Sequence, residues 1–249
     1  MTIPGETTSR DEQQTARARL MVATIGFVAT VVIALGFPGG VRIVGPFSPL
    51  GGYVLVWLPL VVALVIVLLV PSLRPTAPSA VRWSIRPIDL LWGAAAGLLL
   101  RIIVSSLEVL SYGGLPATAG NAVPLATADE VVYVVVALLS VVLIAPVIEE
   151  TFFRGLVLPS LIGLLRGGRW IAVAISASLF AILHLLAVTT VAQAIVVGLG
   201  TLLVGLGAGS LAVLTGRLGP AIVAHVVFNG SILALGLSAV TGGTGVVIE

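Results

Sequence analysis

The chain of 249 residues is strongly apolar, with 59% hydrophobic and only 9% charged residues and a mean hydropathy of +1.23. A water-soluble domain has about 25% charged residues, so the composition predicts a polytopic membrane protein. There is no cysteine, and all twelve basic residues are arginine. These absences exclude disulfides, thiolate nucleophiles, Cys-ligated metals, Ser-Lys dyads, Schiff bases and P-loop lysines. The pI of about 9.7 reflects a net charge of only +2, which indicates membrane topology rather than nucleic-acid binding.

The apolar residues fall into stretches that come close to or meet the length of a membrane span. A bilayer core about 30 Å thick needs about 20 such residues per helix. In chain order the stretches are 20–36, 53–70, 88–110, 131–148, 170–187, 192–214 and 220–240. We therefore expect an all-α, polytopic transmembrane helix bundle of about seven spans. Residues 1–18 form a polar cytosolic tail in this interpretation, and residues 19–249 form a single transmembrane domain. The first stretch could also belong to a signal peptide, but its lack of a small-x-small cleavage site favours a retained anchor.

The arginines indicate the orientation of these spans. If Met1 lies in the cytosol, nine of them fall in cytosolic segments, and only Arg42 falls in an outside loop. Arg101 and Arg154 lie within or at the end of predicted helices. Because cytosolic loops carry an excess of arginine, the sequence predicts an N-in, C-out arrangement.

Few polar residues interrupt the spans, and most of them lie in the second half of the chain. An ionisable side chain deep in a membrane costs at least ~2.5 to 3.5 kcal/mol, so each one is a candidate functional residue. The candidates are Glu149, Glu150 and Arg154 at the end of the fourth span, His184 in the fifth, and His225 and Asn229 in the seventh.

Helical spacing separates the two glutamates. Glu150 and Arg154 lie four residues apart in the order that favours an ion pair. Glu149 is turned about 100° away and lacks that partner, which suits a general base in a poorly solvated site. Pro146 removes a backbone hydrogen bond and leaves nearby carbonyl groups in need of partners. The alternative is an interfacial charge cluster that reaches into the cytosol.

The histidines show the same spacing. His225 and Asn229 share one helix face, as do Phe180 and His184. A lone histidine in a membrane more often makes a structural hydrogen bond, but together with the carboxylate pair these residues favour one site built from three helices. Helical rise places His184 about 21 Å and His225 about 7 to 8 Å from the predicted cytosolic ends, so the groups meet only if the helices tilt.

Two further features concern packing. Arg101, in the middle of the third span, could bind a carboxylate of a substrate or pair with Glu108, seven residues on along a similar face. We favour the pairing with Glu108. Gly205 and Gly209 have the small-xxx-small spacing that allows close approach of a neighbouring helix.

These residues carry a resemblance to a known family. The sequences EETFFR at 149–154, FAILH at 180–184 and HVVFN at 225–229 match the motifs EExxxR, FxxxH and HxxxN. In this order they resemble the CPBP family of intramembrane proteases, which includes CAAX prenyl endopeptidases and bacterial self-immunity proteins. The resemblance covers residues 130–235, the protease-like motif region. The first three spans are compatible with it by hydropathy alone.

The resemblance implies an intramembrane endopeptidase that hydrolyses membrane-associated proteins or peptides. In that mechanism Glu149 and His184 hold and deprotonate a water molecule, while His225 and Asn229 donate hydrogen bonds to the oxyanion. Glu150 and Arg154 orient the base, and Phe180 supports His184. A zinc ion held by Glu149, His184 and His225 is the alternative, since these residues form a His₂Glu ligand set. We slightly favour the mechanism without a metal.

Two other functions remain open on the sequence. The polar residues could form the relay of a small proton- or substrate-coupled transporter, or the chain could be a catalytically inactive membrane scaffold. Against a transporter, the polar groups gather in one cluster, and the halves show no inverted repeat. The expected location is the bacterial plasma membrane, with the site open to the cytosol. The expected partners are the lipid bilayer and a protein or peptide substrate, with no nucleic acid.

Overall fold

The computed structural model describes residues 4–37, 49–74, 81–114, 132, 135–136, 138–165, 168–186 and 188–242 of the chain. Within these ranges the protein is helical and contains no strand, which confirms the predicted all-α membrane helix bundle. The α-helices are α1 Pro4–Gly36, α2 Pro49–Leu69, α3 Pro87–Tyr112, α4 Ala145–Phe152, α5 Leu158–Leu164, α6 Arg169–Leu185, α7 Val191–Thr215 and α8 Gly219–Gly242. A short 3₁₀ turn, Pro71–Leu73, follows α2.

Three segments of the described chain are long and apolar enough to cross a membrane, namely Asp11–Gly36, Pro87–Tyr112 and Val191–Thr215. Two shorter apolar segments are Tyr53–Leu69 and Arg169–Leu185. Large hydrophobic side chains remain exposed along these helices, as expected for surfaces that face lipid. The total of seven spans and the N-in, C-out orientation stay predictions. The start of the fourth predicted span, at residue 131, lies outside the described residues.

Two helices begin earlier than predicted. α1 begins at Pro4 and includes most of the segment predicted as a polar tail. That segment is rich in alanine, arginine, glutamine and glutamate, which favour helix, and it contains no proline after the first turn. α2 begins at Pro49, so residues 49–52, which precede the predicted stretch 53–70, are helical. Proline is well tolerated at a first helical position because its missing N–H would have no partner there.

The helix that carries the glutamates is interrupted on both sides of α4. Wider π-helical turns occupy Ser140–Ile144 and Phe153–Val157. Each turn ends two residues before a proline, Pro146 or Pro159. In a regular α-helix a proline ring clashes with the carbonyl four residues earlier, and a wider turn relieves that clash. The carboxylates are thus presented by a short helix of two turns between two π-helical turns.

Helix packing around α7 depends on small residues, as the spacing of Gly205 and Gly209 predicts. A Cβ atom at Gly205 would lie 2.9 Å from Cα of Ala177, and one at Gly209 would lie 3.0 Å from a methyl carbon of Val173. Both neighbours belong to α6. The close approach of α6 and α7 is therefore confirmed, and a side chain at Gly205 would meet the backbone of α6.

The hydrophobic core surrounds the functional motifs. Phe152, Phe153 and Phe180 are each at most 1% exposed, and they join the buried residues of α1, α2 and α6 in one cluster. The ring of Phe153 meets those of Phe152 and Phe180 edge to face, with centroids 5.1 Å and 5.3 Å away. This packing fixes α4 and the second π-helical turn against their neighbours.

Candidate active site

The predicted ion pair between Glu150 and Arg154 is present at the centre of the bundle. Nε of Arg154 lies 3.1 Å from Oε2 of Glu150, and both side chains are fully buried. The N–H of this group is not aligned as a hydrogen bond, so the contact is electrostatic. Nη2 of Arg154 donates a hydrogen bond of 3.0 Å to the backbone carbonyl of Gly205. The pair thus links α4 to α7 at the point where α7 approaches α6 most closely.

An aromatic ring covers the arginine. The guanidinium carbon of Arg154 lies 4.8 Å from the ring centroid of Phe180. A desolvated cation over a ring face gains about 2 kcal/mol or more. Phe180 therefore contacts the cation that pairs with Glu150, in addition to its predicted contact with His184.

His225 lies between the two glutamates. Its Nδ1 is 2.9 Å from Oε1 of Glu150, and its Nε2 is 3.9 Å from Oε2 of Glu149. An ionised carboxylate accepts hydrogen bonds only. The Nδ1 atom therefore carries a proton and donates a hydrogen bond to Glu150. In the neutral ring Nε2 then accepts a hydrogen bond or a proton, and it donates to a ligand only when the ring carries both protons. The gap of 3.9 Å to Glu149 is too long for a direct hydrogen bond, but one water molecule can contact both atoms.

Glu149 has the environment that helical spacing predicted for it. In the described part of the chain its carboxylate makes no ion pair with an arginine, and its Oε2 atom lies 3.9 Å from Nε2 of His225. The residue is 7% exposed, whereas Glu150 is fully buried. Glu149 thus has fewer close polar partners than Glu150 and is slightly more exposed.

Phe180 brings the two histidines together. Its ring centroid lies 4.4 Å from that of His184 and 5.6 Å from that of His225. Both imidazoles therefore contact the same phenyl ring, although helical rise predicted different depths in the membrane for the two residues. Nδ1 of His184 is 2.9 Å from the carbonyl oxygen of Phe180. A carbonyl oxygen only accepts hydrogen bonds, so Nδ1 carries the proton and Nε2 is unprotonated in the neutral ring. Among the described residues, His184 makes no hydrogen bond or ion pair with Glu149.

Asn229 contacts the helix that carries the glutamates. Its Nδ2 donates a hydrogen bond of 2.9 Å to the carbonyl of Val141, in the first π-helical turn. That carbonyl has no partner in its own helix, because the N–H of Ala145 donates to Ser140 instead and the next residue is Pro146. The unpaired carbonyl predicted near Pro146 is thus present, and Asn229 is its partner. One proton of the amide remains for another acceptor.

The arrangement does not fit a zinc site. In the ranges that the structure describes, no three histidine, aspartate or glutamate side chains are grouped so that they could share one metal ion. His225 and Glu149 approach each other at 3.9 Å, but among the described residues His184 makes no hydrogen bond or ion pair with either of them. The donor set that resembles a zinc site in sequence is therefore not assembled as one, and we derive no step through a metal.

Arg101 pairs with Glu108, as we favoured. Its Nη2 lies 2.5 Å from Oε2 of Glu108, and both side chains are at most 10% exposed. The guanidinium also lies over the ring of Phe228, with its carbon 4.9 Å from the centroid. Phe228 precedes Asn229 on α8, and no sequence pattern indicated this contact. Arg101 of α3 thus packs beside α8, the helix that carries His225 and Asn229, without taking part in the site.

Two further links to the site were missed. Gly93 and Gly97 on α3 have the same spacing as Gly205 and Gly209, and they face α8. Their spacing was a signal that could have found them. Asp89 binds Arg217 just before α8; these two residues are 128 positions apart, so no local pattern relates them.

Comparison with known proteins agrees with the motifs. Residues 131–231 match the family model described as Type II CAAX prenyl endopeptidase Rce1-like. The match spans all three motifs and is consistent with the predicted CPBP resemblance. The family supports intramembrane endopeptidase activity in general. No curated protein and no solved structure matches the chain.

Proposed function

We propose that the protein is an intramembrane endopeptidase that hydrolyses a peptide bond of a membrane-associated protein or peptide with a water molecule activated by Glu149. The observation that carries this proposal is the position of His225 between the two glutamates, 2.9 Å from Glu150 and 3.9 Å from Glu149. A carboxylate and an imidazole that lie close enough for one water molecule to contact both are suited to general acid–base catalysis.

In the proposed reaction, the water oxygen attacks the carbonyl carbon of the scissile bond while Glu149 takes a proton from the water. The C–N bond then breaks, and the proton passes from Glu149 to the leaving amine. Nε2 of His184, which lacks a proton in the neutral ring, supplies a second acceptor for the water. The products are a new carboxylate and a new amine.

Two donors serve the oxyanion in this proposal. One is Nε2 of His225, which donates when the ring carries both protons, with the Nδ1 proton directed to Glu150. The other is the second amide proton of Asn229, because the first is held by Val141. Donors whose orientation is fixed in advance stabilise a developing negative charge without reorganisation. Glu150 and Arg154 act through His225, which they hold in place.

The location and substrate follow the same reasoning. We propose that the enzyme is a multi-pass protein of the bacterial plasma membrane, with its site open to the cytosol. The loop arginines support this orientation. The substrate class is a membrane-associated protein or peptide, because the site lies within apolar helices that contact the bilayer.

The experiment is cleavage of a panel of quenched peptides by protein purified and reconstituted in liposomes. We expect the wild-type protein to cleave members of the panel and Glu149→Gln to lose that activity while it melts at the same temperature. Glu12→Gln, an exposed glutamate of α1, is the control for the substitution. Treatment with a chelator and metal analysis of the active protein test the mechanism without a metal. Retained cleavage in Glu149→Gln would contradict the proposal, and no cleavage by folded wild-type protein would favour the scaffold alternative.

A further inference from the structure

One face of α3 contacts α8 along half the length of the helix. We call it the register face, and it consists of Asp89, Gly93, Gly97 and Arg101, each four residues from the next and each buried. We propose that the register face fixes the axial position and rotation of α8 and thereby places His225 beside the two glutamates. α3 lies outside the residues that match the family model. The catalytic part of this inference rests on the proposed function, whereas the structural part does not.

The first contact fixes the start of α8. Asp89 accepts hydrogen bonds from Nε and Nη2 of Arg217, two residues before the helix begins. Asp89 is fully buried and also accepts a hydrogen bond of 2.8 Å from the backbone N–H of Arg86. Its carboxylate raises the pKa of Arg217 above its usual value. A bidentate contact of this kind fixes orientation as well as distance.

Backbone hydrogen bonds support the same junction. The N–H of Leu218 donates to the carbonyl of Arg82 at 2.9 Å, and the N–H of Gly219 donates to that of Ser84 at 3.2 Å. The segment before α3 therefore runs beside the turn before α8 and holds the first residue of that helix.

The two glycines bring the helix backbones together. A Cβ atom at Gly93 would lie 2.8 Å from the carbonyl oxygen of Pro220, and one at Gly97 would lie 2.4 Å from that of Ala224. Distances under 3.0 Å to backbone atoms leave no room for a side chain. Close approach between small residues is the usual basis of tight packing between helices in membranes. Ala224 directly precedes His225, so the tightest point of this contact is one residue from the imidazole.

The last contact lies beyond the histidine. The Arg101 guanidinium covers the ring of Phe228, one turn after Ala224. Together with the contacts at Arg217 and Ala224, it holds α8 on both sides of His225. Because a shift of about 1 Å in a catalytic group can cost about 100-fold in rate, a helix held at three points is suited to positioning the imidazole.

The test uses the fact that the chain has only two histidines. Protein labelled with ¹⁵N in the histidine rings gives signals from His184 and His225 alone, and His184→Gln assigns them. In the wild-type protein we expect the Nδ1 signal of His225 to show a proton held in a hydrogen bond. This measurement needs no substrate and remains informative if the protein has no proteolytic activity.

Gly97→Ala is the informative variant, and Gly198→Ala is its matched control. Gly198 lies in α7, and a Cβ atom there would make ordinary contact with Leu185 at 3.4 Å. We expect Gly97→Ala to change the Nδ1 signal of His225 and to lower kcat about 10- to 100-fold with little change in KM, because the reacting groups are misplaced while the substrate contacts remain. Gly198→Ala should leave the spectrum and kcat as in the wild-type protein.

A second variant covers the case in which Gly97→Ala does not fold. Asp89→Asn combined with Arg217→Gln removes the ion pair without leaving an unpaired buried charge. It should change the same His225 signal. The inference is overturned if the folded variants leave that signal unchanged. If the signal changes but neither variant nor wild-type protein cleaves any peptide, the positioning role stands and the proposed function fails.

Discussion

The side-chain amide of Asn229 donates a hydrogen bond of 2.9 Å to the backbone carbonyl of Val141. The residue implied as an oxyanion donor is thus also the partner of a carbonyl that Pro146 leaves without an N–H donor. A single amide group can do both, since it carries two protons. Asn229 therefore joins α8 to the helix of the glutamates, and its removal should have two separable effects.

We predict that Asn229→Ala lowers both activity and stability. Loss of the bond to Val141 should destabilise the fold by about 0.5 to 1.5 kcal/mol. Loss of an oxyanion donor should lower kcat about 100- to 1,000-fold. Adding Pro146→Ala restores a backbone N–H near that carbonyl, so the double variant should recover stability but not activity. Thermal unfolding and peptide cleavage measure the two effects. Recovery of activity in the double variant would show that Asn229 acts only as a helix contact.

We predict that Arg154→Met strongly destabilises the protein. Glu150 is fully buried and pairs with this guanidinium, so the variant leaves an uncompensated buried charge. Breaking a buried pair by removing one partner typically costs about 3 to 5 kcal/mol. The combined variant Glu150→Gln with Arg154→Met should be more stable than Arg154→Met alone, because no charge remains unpaired. Denaturant unfolding in detergent gives both values. Equal stability of the single and double variants would mean that the pair carries little electrostatic energy.

We predict that cysteines at Val104 and Gly200 form a disulfide. A Cβ atom at Gly200 would lie 4.0 Å from Cβ of Val104, within the range of about 3.5 to 4.5 Å that disulfides need. The chain has no native cysteine, so any crosslink reports this pair. Val104→Cys with Gly207→Cys is the control, because Gly207 lies about 10 Å further along α7. Mobility in electrophoresis after mild oxidation, with and without a reductant, distinguishes the two pairs. Crosslinking of the control alone would contradict the packing of α3 on α7.

We predict that labelling of single cysteines reveals an N-in, C-out protein. Ser72 and Ser111 are exposed residues that follow α2 and end α3, on opposite sides of the membrane in the predicted topology. In intact cells, a reagent that does not cross the membrane should label Ser111→Cys but not Ser72→Cys. Permeabilised cells should show labelling of both. The reverse pattern would place the arginine-rich loops outside and would contradict the orientation.

The sequence predicted those features that depend on local spacing. The ion pair of Glu150 with Arg154, the pairing of Arg101 with Glu108 and the close approach at Gly205 all follow from helical geometry. The resemblance to a protease family rested on three short motifs, and the family model covers the same residues. The use of His225, His184 and Asn229 in catalysis stays a prediction.

Other features could not be predicted because they depend on contacts between distant residues. The bond from Asn229 to Val141 joins positions 88 apart, and the bond from Arg217 to Asp89 joins positions 128 apart. Whether Glu149, His184 and His225 group around one metal ion, which they do not in the described part of the chain, depends on how α4, α6 and α8 pack.

The most direct measurement of the central claim is cleavage of a peptide in water enriched in ¹⁸O, followed by mass spectrometry of the products and comparison of Glu149→Gln with Glu12→Gln. The account predicts one ¹⁸O atom in the new carboxylate from wild-type protein and from Glu12→Gln, and a loss of product from folded Glu149→Gln. Cleavage by Glu149→Gln at the wild-type rate would contradict the claim that Glu149 activates the water.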